Sequence, residues 1–130
     1  MAVYMTDTHS LLWAFMSPRK LGQEARRVFD EVGNGDAELL IPVIVLAELI
    51  FTIENKPIRA DLDKILDKLD ASPNVEFVDF DLQSALKLRE LTEIPEMHDR
   101  MIVASAITHQ AALITRDETI TETGLVEVIW

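Results

Sequence analysis

Leu39-Leu40-Ile41-Pro42-Val43-Ile44-Val45-Leu46-Ala47-Glu48-Leu49-Ile50-Phe51 contains a single ionisable side chain, Glu48. The run reads as a buried strand from Glu38 to Ile41 followed by an apolar helix from Val43 to about Glu54. A strand that passes directly into a helix is the unit from which parallel α/β folds are built. The neighbours of Glu48 at helical spacing, Ile44, Val45, Phe51 and Thr52, give it little polar company, and a surface position for this helix is not expected. Burying a lone carboxylate costs several kcal/mol, so such a group requires a proton, a cation or a metal.

Working outward, the same alternation continues. Val3 to Thr6 reads as a short strand, followed by a helix from Thr8 to Met16 with Leu11, Leu12 and Phe15 at helical spacing and Ser17-Pro18 as its stop. A helix from Gln23 to Val32 places Ala25, Val28, Phe29 and Val32 on one face, and Gly33-Asn34-Gly35 ends it. After Pro57, the residues Ile58, Leu62, Ile65, Leu66 and Leu69 form the stripe of another helix, with Arg59, Asp61, Asp63, Lys64, Asp67 and Lys68 on its solvated side. Ser72-Pro73-Asn74 turns into a strand from Val75 to Phe80. Asp81 caps a helix expected to point Leu82, Ala85, Leu86, Leu88 and Leu91 inward. A helix from His98 to Gln110 and strands Ala112 to Thr115 and Val126 to Ile129 complete the order. Residues 1–130 thus read as one α/β domain, a sandwich around a mostly parallel sheet.

Three further acidic residues join Glu48. Asp7 closes the run Ala2-Val3-Tyr4-Met5-Thr6, Asp99 opens the pattern Met101-Ile102-Val103-Ala104, and Asp117 follows Ala111-Ala112-Leu113-Ile114-Thr115. Each has a plainer reading: a helix cap for Asp7, a cap or a pairing with Arg100 for Asp99, an Asx turn for Asp117, and an arginine partner for Glu48. Ligands of open parallel sheets bind beyond the carboxyl ends of the strands, where Asp7 and Asp117 both fall. Taken together, the four suggest one divalent-metal site and a metal-dependent hydrolase. His9, His98 and His109 lack the His-X-X-X-His spacing of a zinc site. An acid-rich, histidine-poor set favours Mg²⁺ or Mn²⁺ over Zn²⁺.

The chain carries a net charge of −11, which repels bare phosphate over most of its surface and argues against tight, non-specific nucleic-acid binding. Bound metal or a basic partner would offset it. The absence of cysteine removes thiolate chemistry and fits a cytoplasmic protein. No segment reaches the roughly 18 to 20 unbroken apolar residues of a membrane span, and no basic leader precedes the first strand. A receiver domain would need a lysine after its last strand, where Val126-Glu127-Val128-Ile129-Trp130 has none, and an aspartyl phosphatase would need Asp where His9 stands.

The ordered set Met5-Thr6-Asp7-Thr8-His9 with Leu11-Leu12-Trp13, Ile41-Pro42-Val43 with Leu46-Ala47-Glu48-Leu49, His98-Asp99-Arg100-Met101-Ile102-Val103-Ala104-Ser105-Ala106 and Leu113-Ile114-Thr115-Arg116-Asp117 resembles the PIN domain, in particular the VapC-type ribonuclease toxins of toxin–antitoxin pairs. The resemblance implies a three-layer α/β/α sandwich and Mg²⁺-dependent hydrolysis of RNA. It implies Asp7 and Asp99 as the main metal ligands, and Glu48 as a further ligand or the holder of a water. Asp117 would serve a second metal or orient water, with Thr115, Thr8 and Arg100 in support. It also implies a homodimer and a small antitoxin with a basic segment. Arg19, Lys20, Arg100 and Arg116 are the basic residues available to position RNA. Glu118-Thr119-Ile120-Thr121 departs from the usual family segment, which bears on the second-metal role. The rival expectation is a PIN-like module without activity that binds a protein partner.

Overall fold

Strands β1 (Ala2–Thr6), β2 (Ala37–Pro42), β3 (Val75–Val78), β4 (Ala112–Ile114) and β5 (Val128–Ile129) pair side by side in the order β3-β2-β1-β4-β5 in the computed structural model, which describes residues 1–130. Every pairing is parallel, with Tyr4 opposite Leu39 on one side of β1 and opposite Ala112 on the other. Helices α1 (Thr8–Met16), α2 (Gln23–Gly33), α3 (Val43–Asn55), α4 (Leu62–Asp70), α5 (Leu82–Lys87), α6 (Met97–Thr108) and α7 (Glu118–Thr123) connect the strands and complete a three-layer α/β/α sandwich. Strand order reverses at β1: the chain builds outward to β3 and then returns to the far side of β1 as β4. That reversal opens a crevice at the carboxyl ends of β1 and β4, where ligands of doubly wound sheets bind.

The central strands are apolar because both of their faces are covered. Met5, Ile41, Leu113 and Ile114 are fully buried and join one cluster with Leu11, Val28, Val45, Leu49 and Val103 from the helices. None of the helices is long and apolar enough to cross a membrane.

The boundaries of α1 and the start of α3 fall where the sequence pattern puts them. Strand β3 stops at Val78 rather than Phe80, β5 starts at Val128 rather than Val126, α6 spans Met97–Thr108 rather than His98 to Gln110, and four further details differ. Helix α4 begins at Leu62, because Asp61 caps it by accepting from the Lys64 backbone N–H at 3.2 Å. Ile58 therefore lies outside the helix. On α5, Asp81 caps as expected, but Leu82 and Leu86 face solvent, at 73% and 48% exposure. The helix lasts less than two full turns before Leu88–Glu90 tightens to a 3-10 turn, so Leu91 is buried in the core and Leu88 packs partly against it. Helix α3 is not enclosed: it buries Val45 and Leu49 while Phe51 remains 69% exposed. An apolar composition on every face signals burial but does not decide which face meets the core. Finally, residues 118–123 form α7, a helix too short for periodicity to reveal.

Gly22, at the start of α2, lies against Trp130: a Cβ there would stand 2.5 Å from the Trp130 carbonyl carbon. The Glu24 backbone N–H donates to the Trp130 carbonyl at 3.2 Å, so the contact is anchored. Gly22→Ala is expected to destabilise the protein by about 1–3 kcal/mol, the range for overpacking a filled site, as measured by urea denaturation. Unchanged stability would mean that the Trp130 segment moves aside freely.

Candidate active site

Asp7 is the residue after β1 and the cap of α1. Its Oδ1 accepts from the Ser10 backbone N–H at 2.9 Å, and its Oδ2 accepts from the Thr115 hydroxyl at 2.6 Å. Its own N–H donates to the Ile114 carbonyl at 3.2 Å, extending the β1–β4 ladder by one bond. Thr115 Oγ1 in turn accepts from the Asp117 N–H at 3.1 Å, and Asp117 Oδ1 caps α7 by accepting from the Ile120 N–H at 3.0 Å. The cap readings for Asp7 and Asp117 are therefore correct as local structure. Each cap commits the lone pairs of Oδ1 to a backbone donor but leaves the carboxylate charge in the crevice.

Asp99 is arranged differently. Glu96, not Asp99, caps α6: its Oε2 accepts from the Asp99 N–H at 2.8 Å, and its Oε1 lies 2.9 Å from His98 Nδ1. The Asp99 carboxylate is thereby free to project from the first turn. Arg100 does not pair with it; its Nε donates to the Ile94 carbonyl at 2.8 Å. Burial raises the Asp99 carboxyl to about 6, with further upward pushes from Asp117, Glu96, Glu48 and Asp7 in that order. Glu48 stands half-buried on α3 and accepts from the Thr8 hydroxyl at 2.8 Å. No arginine or lysine forms an ion pair with any of the four carboxylates.

Asp7, Asp99 and Asp117 line a cavity of about 380 Å³ together with His9, Ser10, Trp13 and Arg116. Glu48 opens into a neighbouring space of about 410 Å³ beside His98, Phe51 and Thr52. As the side chains stand, no three Asp, Glu or His groups converge closely enough to cage an ion by themselves. The donors are all carboxylate oxygens, which suits a hard cation that retains part of its water shell. Ser10 also lines the cavity, and its hydroxyl, like that of Ser105, is buried without a hydrogen-bond partner.

Glu96 and Trp13 were not singled out as site residues in the sequence. Glutamate ranks low as a helix cap, so Glu96 carries no local signal, and Trp13 enters the sequence reading only within the stretch that carries the family resemblance. His9 lies on the rim and is exposed, whereas His109 turns its Nδ1 to the Ser105 carbonyl at 2.9 Å, away from the site.

The raised Asp99 carboxyl has a stability consequence without metal. Its folded-state value lies above its unfolded value, so the penalty of its charge, from burial first and from the neighbouring acids second, is absent below about pH 4 and fully present above about pH 6. Asp99→Asn is expected to stabilise the metal-free protein at pH 7.5 and to lose that advantage by pH 4. Urea denaturation in EDTA measures both points, and an equal advantage at both pH values would contradict the electrostatic account.

The model of the PIN domain family matches residues 4–125. No curated protein matches the chain in sequence. Solved structures with the same fold include VapBC2 from Rickettsia felis bound to a promoter DNA fragment, at 20% identity and TM-score 0.71, covering 97% of this chain and 96% of that one. Another is DNA-bound VapBC from Salmonella typhimurium, at 20% identity and TM-score 0.68, with 98% and 97% coverage. A toxin–antitoxin complex from Klebsiella pneumoniae aligns at 17% identity and TM-score 0.66, with 98% and 96% coverage. With its carboxylates gathered at the β1–β4 crevice and the family model spanning nearly its whole length, this chain belongs to the PIN domain family.

Proposed function

We propose that this protein is a divalent-metal-dependent endoribonuclease that hydrolyses RNA phosphodiester bonds in the cytoplasm as the toxin of a toxin–antitoxin pair. One observation carries the reading: Asp7, Asp99 and Asp117 line one cavity at the strand ends, Glu48 bears on Asp99 from α3, and none of the four forms an ion pair with an arginine or lysine. Like charges gathered in this way need a proton or a cation, and at neutral pH a metal is the better match.

In this reading Asp7 and Asp99 are the principal ligands of Mg²⁺ or Mn²⁺. Glu48 completes the set or holds a water, and Asp117 serves a second ion or orients water. A bound ion of this kind supplies charge for the phosphate oxygens and lowers the pKa of water. The chain's own residues supply the positioning. Thr115 holds the Asp7 carboxylate through Oδ2, and Thr8 does the same for Glu48. Arg100 supports the site indirectly, bracing the approach to α6 through the Ile94 carbonyl.

An acidic chain suits an antitoxin with a basic segment that enters the crevice, and the fold likeness to toxin–antitoxin complexes supports the same view. Exposed Phe51, Leu82 and Leu86 are apolar surface of the kind that a second copy or a partner covers.

The test is cleavage of a panel of structured RNAs by wild type and Asp7→Asn, purified in parallel, in Mg²⁺, Mn²⁺ or EDTA. Wild type is expected to cut only with metal, and Asp7→Asn to lose about 100-fold or more, because a ligand rather than its support is removed. Thr115→Val, which leaves the carboxylate but frees its orientation, is expected to lose about 10- to 100-fold. Equal cleavage by wild type and Asp7→Asn would refute the site. A melting temperature indifferent to Mn²⁺ in wild type would refute the metal.

A further inference from the structure

The rim of the crevice carries a cationic arrangement that the four carboxylates do not explain. His9 and Trp13 lie one turn apart on α1, so both present to the same side, with ring centroids 5.8 Å apart. The Arg116 guanidinium stands 5.8 Å from the Trp13 ring centroid and the Lys20 ammonium 5.9 Å from it, both within the range of cation–π attraction. Trp130 meets the same ring edge-on at 6.0 Å, which holds the indole in place.

Of the 12 lysines and arginines only Arg27 and Lys87 form ion pairs, and among the others Arg116 and Lys20 are the two that meet at one aromatic face. The ion pairs of this protein engage Arg27, Lys87 and His98, and neither Lys20 nor Arg116 forms an ion pair or donates a side-chain hydrogen bond. The difference matters chemically. A carboxylate partner would neutralise an arginine, whereas an aromatic face fixes its position and leaves its charge in force. Arg116 is exposed, sits between Thr115 and Asp117, and lines the same cavity as Asp7 and Asp99. Its free charge therefore stands at the one place where an acidic protein must admit a polyanion.

We infer that Trp13 holds Arg116 and Lys20 as a clamp for the phosphodiester flanking the one that is cut, in single-stranded RNA. The inference rests on the nuclease reading above and adds to it the residues that position substrate. Arg116 and Lys20 touch phosphate, and Trp13 is a positioning residue that acts through them.

The test measures binding of an end-labelled, phosphorothioate-linked oligoribonucleotide in Mg²⁺ by fluorescence anisotropy across a salt series. Arg116→Gln and Lys20→Gln are each expected to weaken binding about fivefold at 0.1 M salt and to flatten the log–log salt dependence by about 0.7, the signature of one lost single-strand phosphate contact. Trp13→Phe keeps a ring and should retain most of the affinity, while Trp13→Leu should resemble Arg116→Gln; thermal melting identifies a variant that is merely unfolded. In cleavage assays the Arg116 and Lys20 variants should raise KM and leave kcat nearly intact. Wild type that does not bind, or a double variant with unchanged affinity and salt slope, overturns the clamp. A self-association lost in Arg116→Gln with RNA affinity intact would also overturn it, in favour of a contact between copies. Cleavage that is indifferent to both cations leaves the nuclease reading standing without the clamp. Salt-sensitive, Arg116-dependent binding without any cleavage leaves the clamp standing without the nuclease.

Discussion

The hydrogen bond from the Thr115 hydroxyl to Asp7 Oδ2, at 2.6 Å, joins residues 108 positions apart and is the point on which the crevice is organised. Its donor follows β4 and its acceptor follows β1, so it closes the gap that the reversal of strand order opens. The same hydroxyl accepts from the Asp117 N–H, which draws the third carboxylate to the first. A hydroxyl that donates to one aspartate and accepts from the backbone of another has its proton and one of its lone pairs committed, and its geometry leaves little freedom to either. Two carboxylates are thus held close by bonds that do not cancel their charge.

That arrangement has an energetic penalty which the rest of the molecule accepts. Asp99 carries it most visibly, raised to about 6 by burial and by the surrounding acids. No arginine or lysine forms an ion pair with Asp99: Arg27 and Lys87 form theirs elsewhere, Arg100 is turned to a backbone carbonyl, and His98 pairs with Glu96. A site of this kind is less stable empty than it would be with its charges removed, which is the usual condition of a site built for a ligand. The overall charge of −11 and the local cluster therefore differ in meaning. The first concerns solubility and the choice of partner; the second concerns chemistry.

The aromatic cluster at the rim follows a different logic. Trp13 makes contacts with α1, the turn at Pro18–Lys20, the loop after β4 and the end of the chain through His9, Lys20, Arg116 and Trp130. Gly22 leaves room for Trp130 to reach it. A single half-buried ring thereby links packing of the fold to the placement of positive charge beside the acidic crevice.

Sequence by itself determined the order of the strands and of every helix but α7, since Pro18, Pro57, Gly33 and the apolar spacing act over a few residues and need no tertiary partner. It also marked the four carboxylates as candidates, because an acid at the end of an apolar strand or beside an apolar helix pattern is conspicuous before folding. The family resemblance of those stretches agrees with the PIN match across residues 4–125. Only the tertiary structure decided that Glu96 takes the cap of α6 and frees Asp99, that Phe51, Leu82 and Leu86 face outward, and that Arg116 and Lys20 meet Trp13. Periodicity names an apolar stripe but not the neighbour that will cover it, and a polar atom's partner is chosen among groups brought near by the fold. Those choices depend on contacts between distant parts of the chain, which local sequence does not encode.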